Sequence, residues 1–265
     1  MADKAPARVG PHLSISYRGP VALITIDRPE KLNAMAANFW PDLREVFDRL
    51  EADAAIRAVV ITGAGDKAFC AGGDIAGFRE LITLRDKRNF QIDAMRTFQR
   101  VETSPLPVIA AVNGIALGGG CELTLACDVV LASDNARFGM PEAALGLVPG
   151  YGILRAPQII GRQMTKLIVM TRRHIPADEA LRIGLVQQVT PQAELLETAM
   201  ALAAEIAESS PLALDVGKRV INRGYDNAEF DYAVEALTVL QFSDDTDEGT
   251  KAFIERRKPN FSARM

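Results

Sequence analysis

The sequence predicts an α/β fold: a wound core with a largely parallel sheet, followed by a helical C-terminal quarter. Three observations carry this. Strand signals alternate with helical periodicity through the first three quarters of the chain, they disappear from Pro191 onward, and 265 residues at 48% hydrophobic content suffice to bury a sizeable core.

Taken in order, the runs His12 to Tyr17 and Val21 to Asp27 flank Arg18-Gly19-Pro20 and read as a hairpin. Phe39, Leu43, Val46, Phe47 and Leu50 then recur at helical spacing, with Asp42, Arg44, Glu45 and Asp48 between them. Pro41 fits the first turn of that helix, where a missing N–H costs little. The run Arg57 to Thr62 is a buried strand ending at Gly63-Ala64-Gly65. A polar, helix-prone stretch from Thr83 to Arg100 leads to a strand from Pro107 to Val112, a short helix from Gly119 to Ala126 and a strand from Val129 to Ala132. Beyond these, Ala193 to Glu208, Pro211 to Arg223, Glu229 to Phe242 and Asp247 to Arg257 all read as helices. No repeat of fixed period and no low-complexity tract interrupts the pattern.

Composition narrows the chemistry. Thirty basic against 34 acidic residues leave a net charge of −4, which repels a polyanionic duplex. Arg85, Lys87, Arg88, Arg96 and Arg100 do cluster, but Asp86, Asp93 and Glu102 are interleaved with them, the pattern of a solvated helix face. The longest apolar stretch, Ile109 to Ser133, contains Gly118, Gly119, Gly120, Glu122 and Asp128 and does not read as a membrane span. The opening residues MADKAPARVG resemble neither a secretory signal nor a transit peptide, so a cytoplasmic location is expected. Cys70, Cys121 and Cys127 form no C-x-x-C pair and are expected as reduced thiols. His12 and His174 lack obvious partners, which leaves little material for a histidine metal site or a Ser-His-Asp triad. Acid–base chemistry therefore falls to carboxylates.

Three segments combine glycines with carboxylates. Ala68-Phe-Cys-Ala-Gly-Gly-Asp-Ile75 is a strand exit whose paired glycines let a ligand approach the backbone. Asn113-Gly-Ile-Ala-Leu-Gly-Gly-Gly-Cys-Glu122 opens a helix with three glycines, exposing N–H groups at the positive end of its dipole, a setting suited to an oxyanion. Phe138-Gly-Met-Pro-Glu-Ala-Ala-Leu-Gly-Leu-Val-Pro-Gly150 sets Glu142 just after Pro141, at a helix start. Singly, Glu122 and Glu142 read equally well as first-turn acids complementing a helix dipole.

Together, in this order and at these separations, the segments resemble the crotonase superfamily, most closely its enoyl-CoA hydratase branch. The resemblance runs from Val21-Ala-Leu-Ile-Thr-Ile-Asp-Arg-Pro-Glu-Lys-Leu-Asn-Ala34 to Phe253-Ile-Glu-Arg-Arg-Lys-Pro-Asn-Phe261. It implies a wound β-β-α spiral core over residues 1–195 carrying an acyl-CoA site, and a helical oligomerisation region over 196–265. The family's two oxyanion-hole donors fall on the backbone of Gly73 and Gly119, where donors held in advance favour the developing enolate over the ground state. Its two catalytic glutamates fall on Glu122, assigned mainly to water activation, and Glu142, assigned to delivery of the α-proton. Relatives that isomerise or hydrolyse acyl-CoA commonly keep the hole and alter a carboxylate, so the filled pair points to hydration, with isomerase or hydrolase chemistry and an RNA-binding relative as the alternatives.

The same resemblance assigns Gly150 to water orientation and Ala71, Asp74, Ile75, Phe253 and Arg256 to substrate or coenzyme A binding. Coenzyme A is part of the substrate; no separate cofactor and no metal is expected. Asn33, Asp74 and Asp128 match scaffold positions that satisfy loop backbone. The expected assembly is a homotrimer or a dimer of trimers, supported by apolar Leu237, Leu240 and Phe253 in a thin appendage. One departure stands out. Tyr151-Gly-Ile-Leu-Arg-Ala-Pro157 replaces the family's Gly-Gly-Thr-Gln type of run and is one residue shorter; a tyrosine there narrows the pocket, adds a hydroxyl, or points away.

Overall fold

The computed structural model describes residues 7–222, 234–235, 238, 241–242, 244–257 and 259. Most of the helix predicted at Glu229 to Phe242, with Leu237 and Leu240, lies outside them.

In chain order the elements are β1 (Ala7–Val9), β2 (Leu13–Arg18), β3 (Val21–Ile26), α1 (Phe39–Glu51), β4 (Ala58–Gly63), β5 (Ala68–Cys70), α2 (Ile75–Arg79) and α3 (Leu84–Glu102). Next come β6 (Val108–Val112), β7 (Ile115–Leu117), α4 (Gly119–Ala126), β8 (Val129–Ser133), β9 (Arg137–Gly139), α5 (Gly152–Ile159), α6 (Arg162–Thr171), β10 (Ile175–Pro176) and α7 (Ala177–Arg182). The chain continues through β11 (Gln188–Thr190), α8 (Leu195–Ala207), α9 (Pro211–Ile221) and α10 (Asp244–Ile254).

Seven strands form one sheet in the order β1-β2-β3-β4-β6-β8-β11, and four form another in the order β10-β9-β7-β5. The first two pairings of the large sheet are antiparallel, including the predicted hairpin with Leu13 opposite Ile26, and the other four are parallel. Each turn of the chain deposits one strand in each sheet, β4 then β5, β6 then β7, β8 then β9, with a helix before the next turn. This is the β-β-α spiral. Of its short second strands only β5 is legible, in the strand exit at Ala68; three-residue runs such as Ile115–Leu117 and Arg137–Gly139 carry too little periodicity to register.

Central strands of a parallel sheet are covered on both faces, and all six residues of β4 are buried. Val59 and Ile61 face the main core, built from α1 through Phe39, Trp40, Leu43, Val46, Phe47 and Leu50. Ala58 and Val60 face the other way, onto Leu195, Ala199, Met200 and Ala203 of α8. Helix α3 begins with a reciprocal cap: Asp86 N–H donates to Thr83 Oγ1 at 3.1 Å and Thr83 N–H to Asp86 Oδ2 at 3.0 Å. In the predicted basic cluster, Arg88 pairs with Glu235 and Arg100 with Asp48 and Glu51, while Lys87 donates to the Gln241 carbonyl. No helix among the described residues is long and apolar enough to cross a membrane.

Candidate active site

The site forms where the ends of β5, β7 and β9 present three loops to one cavity. Beyond β5 the chain turns through Gly72 at φ +101°, and a Cβ there would stand 2.9 Å from the Leu117 carbonyl, so only glycine lets these two backbones lie together. The loop is pinned on either side: Met35 N–H donates to Gly72 O at 2.8 Å and Asp74 N–H to Met35 O at 2.9 Å. Between them, Gly73 has open space over its Cα.

Helix α4 starts alongside. Gly119 is its first residue, and a Cβ on it would lie 3.8 Å from Gly73 N, so the two peptides are neighbours. Gly120 packs so tightly on β5 that a Cβ would fall 2.1 Å from Cys70 O. A helix's first N–H groups have no intrahelical acceptor. The Gly73 and Gly119 N–H groups have no hydrogen-bond partner among the described residues, which leaves two adjacent donors for one oxygen.

Glu122 lies one turn into α4 and is only 7% exposed. Its Oε1 accepts the Gly152 N–H at 2.8 Å. Burial raises its pKa to about 7, and that single N–H works against the rise. Glu142 stands at a helix start, as its place after Pro141 suggested, the helix being the short 3-10 turn Glu142–Leu145. A Cβ on Gly118 would lie 2.9 Å from its Oε1, and its buried Oε2 has no hydrogen-bond partner among the described residues. Its pKa is driven well above the ordinary carboxylate value, first by burial and then by the charge of Glu122. Two carboxylates so coupled share protons; the Gly152 N–H favours the ionised form of Glu122, whereas Glu142 Oε2 has no such donor among the described residues.

The cavity is about 820 Å³ and is lined by both glutamates and by Gly73, Gly119 and Gly150. Its apolar part is built by Trp40, Phe78, Phe90, Met95 and Phe98, which helical spacing marks equally as core, and by Leu145, Leu147 and Val148 from the segment that carries Glu142. Trp40 meets Phe90 and Phe98 edge to face at centroid separations of 5.8 and 5.5 Å.

Ala71, Asp74, Ile75, Phe253 and Arg256 all line the same cavity, the last two from the chain's own tail; His174 lines it as an exposed residue. Asp74 also holds the scaffold together, capping α2 through the Ala76 N–H and binding Arg28 at 2.7 Å. Asn33 bridges Arg28, Ala64 and Ala68 backbone, and Asp128 accepts the Val108 N–H, as their sequence positions implied.

Tyr151 is among the residues that line the cavity, with its hydroxyl engaged elsewhere. It is fully buried, and its hydroxyl donates to Glu102. Glu102 was missed in the sequence, where it reads as one of the acids interleaved with the basic cluster.

The enoyl-CoA hydratase/isomerase family profile matches residues 17–264. A short-chain-enoyl-CoA hydratase from Clostridium acetobutylicum is 43% identical over 249 residues, covering 92% of this chain and 95% of its own. A crotonyl-CoA hydratase from Syntrophomonas wolfei is 39% identical over 91% of this chain and 94% of its own. Among solved structures, a carnitinyl-CoA hydratase from Mycobacterium avium superimposes with a TM-score of 0.84 at 36% identity, covering 97% of this chain and all of that one.

Proposed function

Because the chain belongs to the enoyl-CoA hydratase/isomerase family, we propose that it adds water across the 2,3 double bond of an enoyl-CoA thioester. The observation that carries this reading is the convergence of Glu122 and Glu142 on a cavity that also holds the neighbouring Gly73 and Gly119 N–H groups.

In this mechanism the thioester carbonyl oxygen accepts both N–H groups. Charge that builds on that oxygen as water adds to the β-carbon is met by donors already in place. Glu122, the more readily ionised carboxylate, takes the proton from the attacking water, which the Gly150 backbone orients. Glu142, kept protonated by burial and by its neighbour, delivers a proton to the α-carbon. Water and one double bond are consumed, and a 3-hydroxyacyl thioester is formed. The chain supplies every catalytic group itself, with coenzyme A entering only as part of the substrate. Ala71, Asp74 and Ile75 lie beside the nucleotide end of coenzyme A, which Phe253 and Arg256 meet from the tail.

We further propose a homotrimer or dimer of trimers in the cytoplasm. Leu212, Val216 and Ile221 of α9 are 72%, 51% and 84% exposed, more apolar surface than one helix ordinarily leaves to water. Light scattering at micromolar concentration should return three or six times the chain mass; a monomer overturns the assembly.

The activity is tested by offering purified protein a series of enoyl-CoA thioesters of increasing chain length, following loss of the conjugated double bond and, separately, its migration. Hydration without migration is expected. Migration or thioester cleavage as the main product would replace this reading with isomerase or hydrolase chemistry.

A further inference from the structure

We propose that Glu102 and Tyr151 are positioning residues for the hydration, clamping the first turn of α5 so that its leading N–H meets Glu122. This rests on Glu122 acting as the base described above.

Glu102 is the last residue of α3, 5% exposed, and uses both carboxylate oxygens on α5. Its Oε2 accepts the hydroxyl of Tyr151, the residue that caps α5; its Oε1 binds Arg155 Nη2 at 2.8 Å, one turn further along the same helix. The turn between the two attachment points is closed by Arg155 N–H donating to Tyr151 O at 3.0 Å. Two attachments to one carboxylate fix both the position and the roll of a helix, which one attachment does not. Phe98, one turn earlier on α3, packs its ring 5.4 Å from that of Tyr151.

What the clamp delivers is the Gly152 peptide. As the first residue of α5, Gly152 has no intrahelical acceptor for its N–H, and that N–H is the 2.8 Å donor to Glu122 Oε1. The peptide has no slack on its other side, since a Cβ on Gly152 would stand 2.6 Å from Met140 Sδ. Burying a carboxylate and a guanidinium costs more than filling the same space with apolar side chains. Their placement at the helix whose first N–H serves Glu122 supplies the compensating role.

The surroundings are electrically mixed. Glu102 is faced by Tyr151 and Arg155 from α5, by Lys218 from α9 and by Asp128 from the residues before β8; Glu122 is faced by Glu142 and by Cys121. Burial lifts Glu102 to about 7, with Arg155 and then Lys218 opposing the rise.

The test compares Tyr151→Phe and Glu102→Gln with the unmodified enzyme, using crotonyl-CoA as substrate and butyryl-CoA as a non-reacting probe of binding. Each substitution should lower kcat roughly 10- to 100-fold, the scale of a misplaced catalytic group, and leave butyryl-CoA affinity within about twofold. The acid limb of the kcat profile should move to higher pH, because Glu122 loses support for its ionised form. In a Glu122→Gln background, Tyr151→Phe should change the residual rate less than about twofold. Equal losses in both backgrounds, or an unshifted acid limb at full kcat, overturn the proposal. If Glu102→Gln leaves Arg155 too poorly paired to fold, Tyr151→Phe, which removes one oxygen, decides alone. Failure of the hydration reading looks different: Glu122→Gln itself would then match the unmodified enzyme.

Discussion

Gly118 and Glu142 meet so closely that a methyl group on Gly118 would stand 2.9 Å from Glu142 Oε1. Gly118 also holds φ +50° and ψ −124°, a conformation L side chains rarely adopt. Gly118→Ala should therefore lower stability by about 1 kcal/mol or more and push Glu142 off its position. Gly73→Ala is the control, because a Cβ there meets nothing within 4 Å and no positive φ is involved. Thermal melts should separate the two, with only Gly118→Ala losing several degrees, and kcat of the remaining folded Gly118→Ala enzyme should still be depressed.

Replacing either glutamate by glutamine keeps size and most hydrogen bonding but removes proton transfer, worth roughly 10²- to 10⁴-fold in rate. Glu122→Gln and Glu142→Gln should each lose kcat for hydration while binding butyryl-CoA as before. The double substitution should lose less than the product of the single effects, since both groups handle one water. Either variant hydrating at the unmodified rate would sink the mechanism.

Glu122 also makes a prediction about stability. Its folded pKa, about 7, lies above the ordinary 4.5, so folding favours its protonated form. The resulting contribution is fully present below pH 4.5 and is lost as pH rises through 7. Glutamine, neutral throughout, should be the more stable residue at pH 8, by on the order of 1–3 kcal/mol or several degrees in Tm, and the gap should narrow on acidification and close below about pH 4.5. A gap that widens on acidification would contradict the assigned burial cost.

The separation between what the sequence discloses and what it hides follows the physics of each signal. Helices such as Phe39–Glu51 and strands such as Ala58–Gly63 are legible because one face, or both, must be apolar over several residues. The site's backbone is legible for another reason: Gly72 and Gly120 sit where a side chain has no room, so their spacing survives as a motif. Glu102 carries no such mark. Its partners Tyr151 and Arg155 lie 49 and 53 positions away, and nothing in a linear pattern distinguishes an acid buried among distant partners from one on a solvated helix. Tyr151 shows the intermediate case, since its position is conspicuous next to Gly150 while its direction depends on Glu102.

Arg256 tests the far end of the cavity. It lines the same cavity as Phe253 and Ala71 but is exposed, so an attraction to a phosphate there is weakened by water and by salt. Arg256→Ala should raise KM for an enoyl-CoA roughly two- to fivefold, the scale of an exposed ion pair, and leave kcat near its original value. The effect should shrink as ionic strength rises. A thioester of pantetheine, which keeps the reacting atoms and the thioester arm but lacks the nucleotide, discriminates further: its KM should be the same for both enzymes. If Arg256→Ala weakens the pantetheine thioester equally, the residue supports the tail's packing and does not contact the nucleotide. If kcat falls with both substrates, the tail acts on the reacting end and the proposed orientation of coenzyme A in the cavity is reversed.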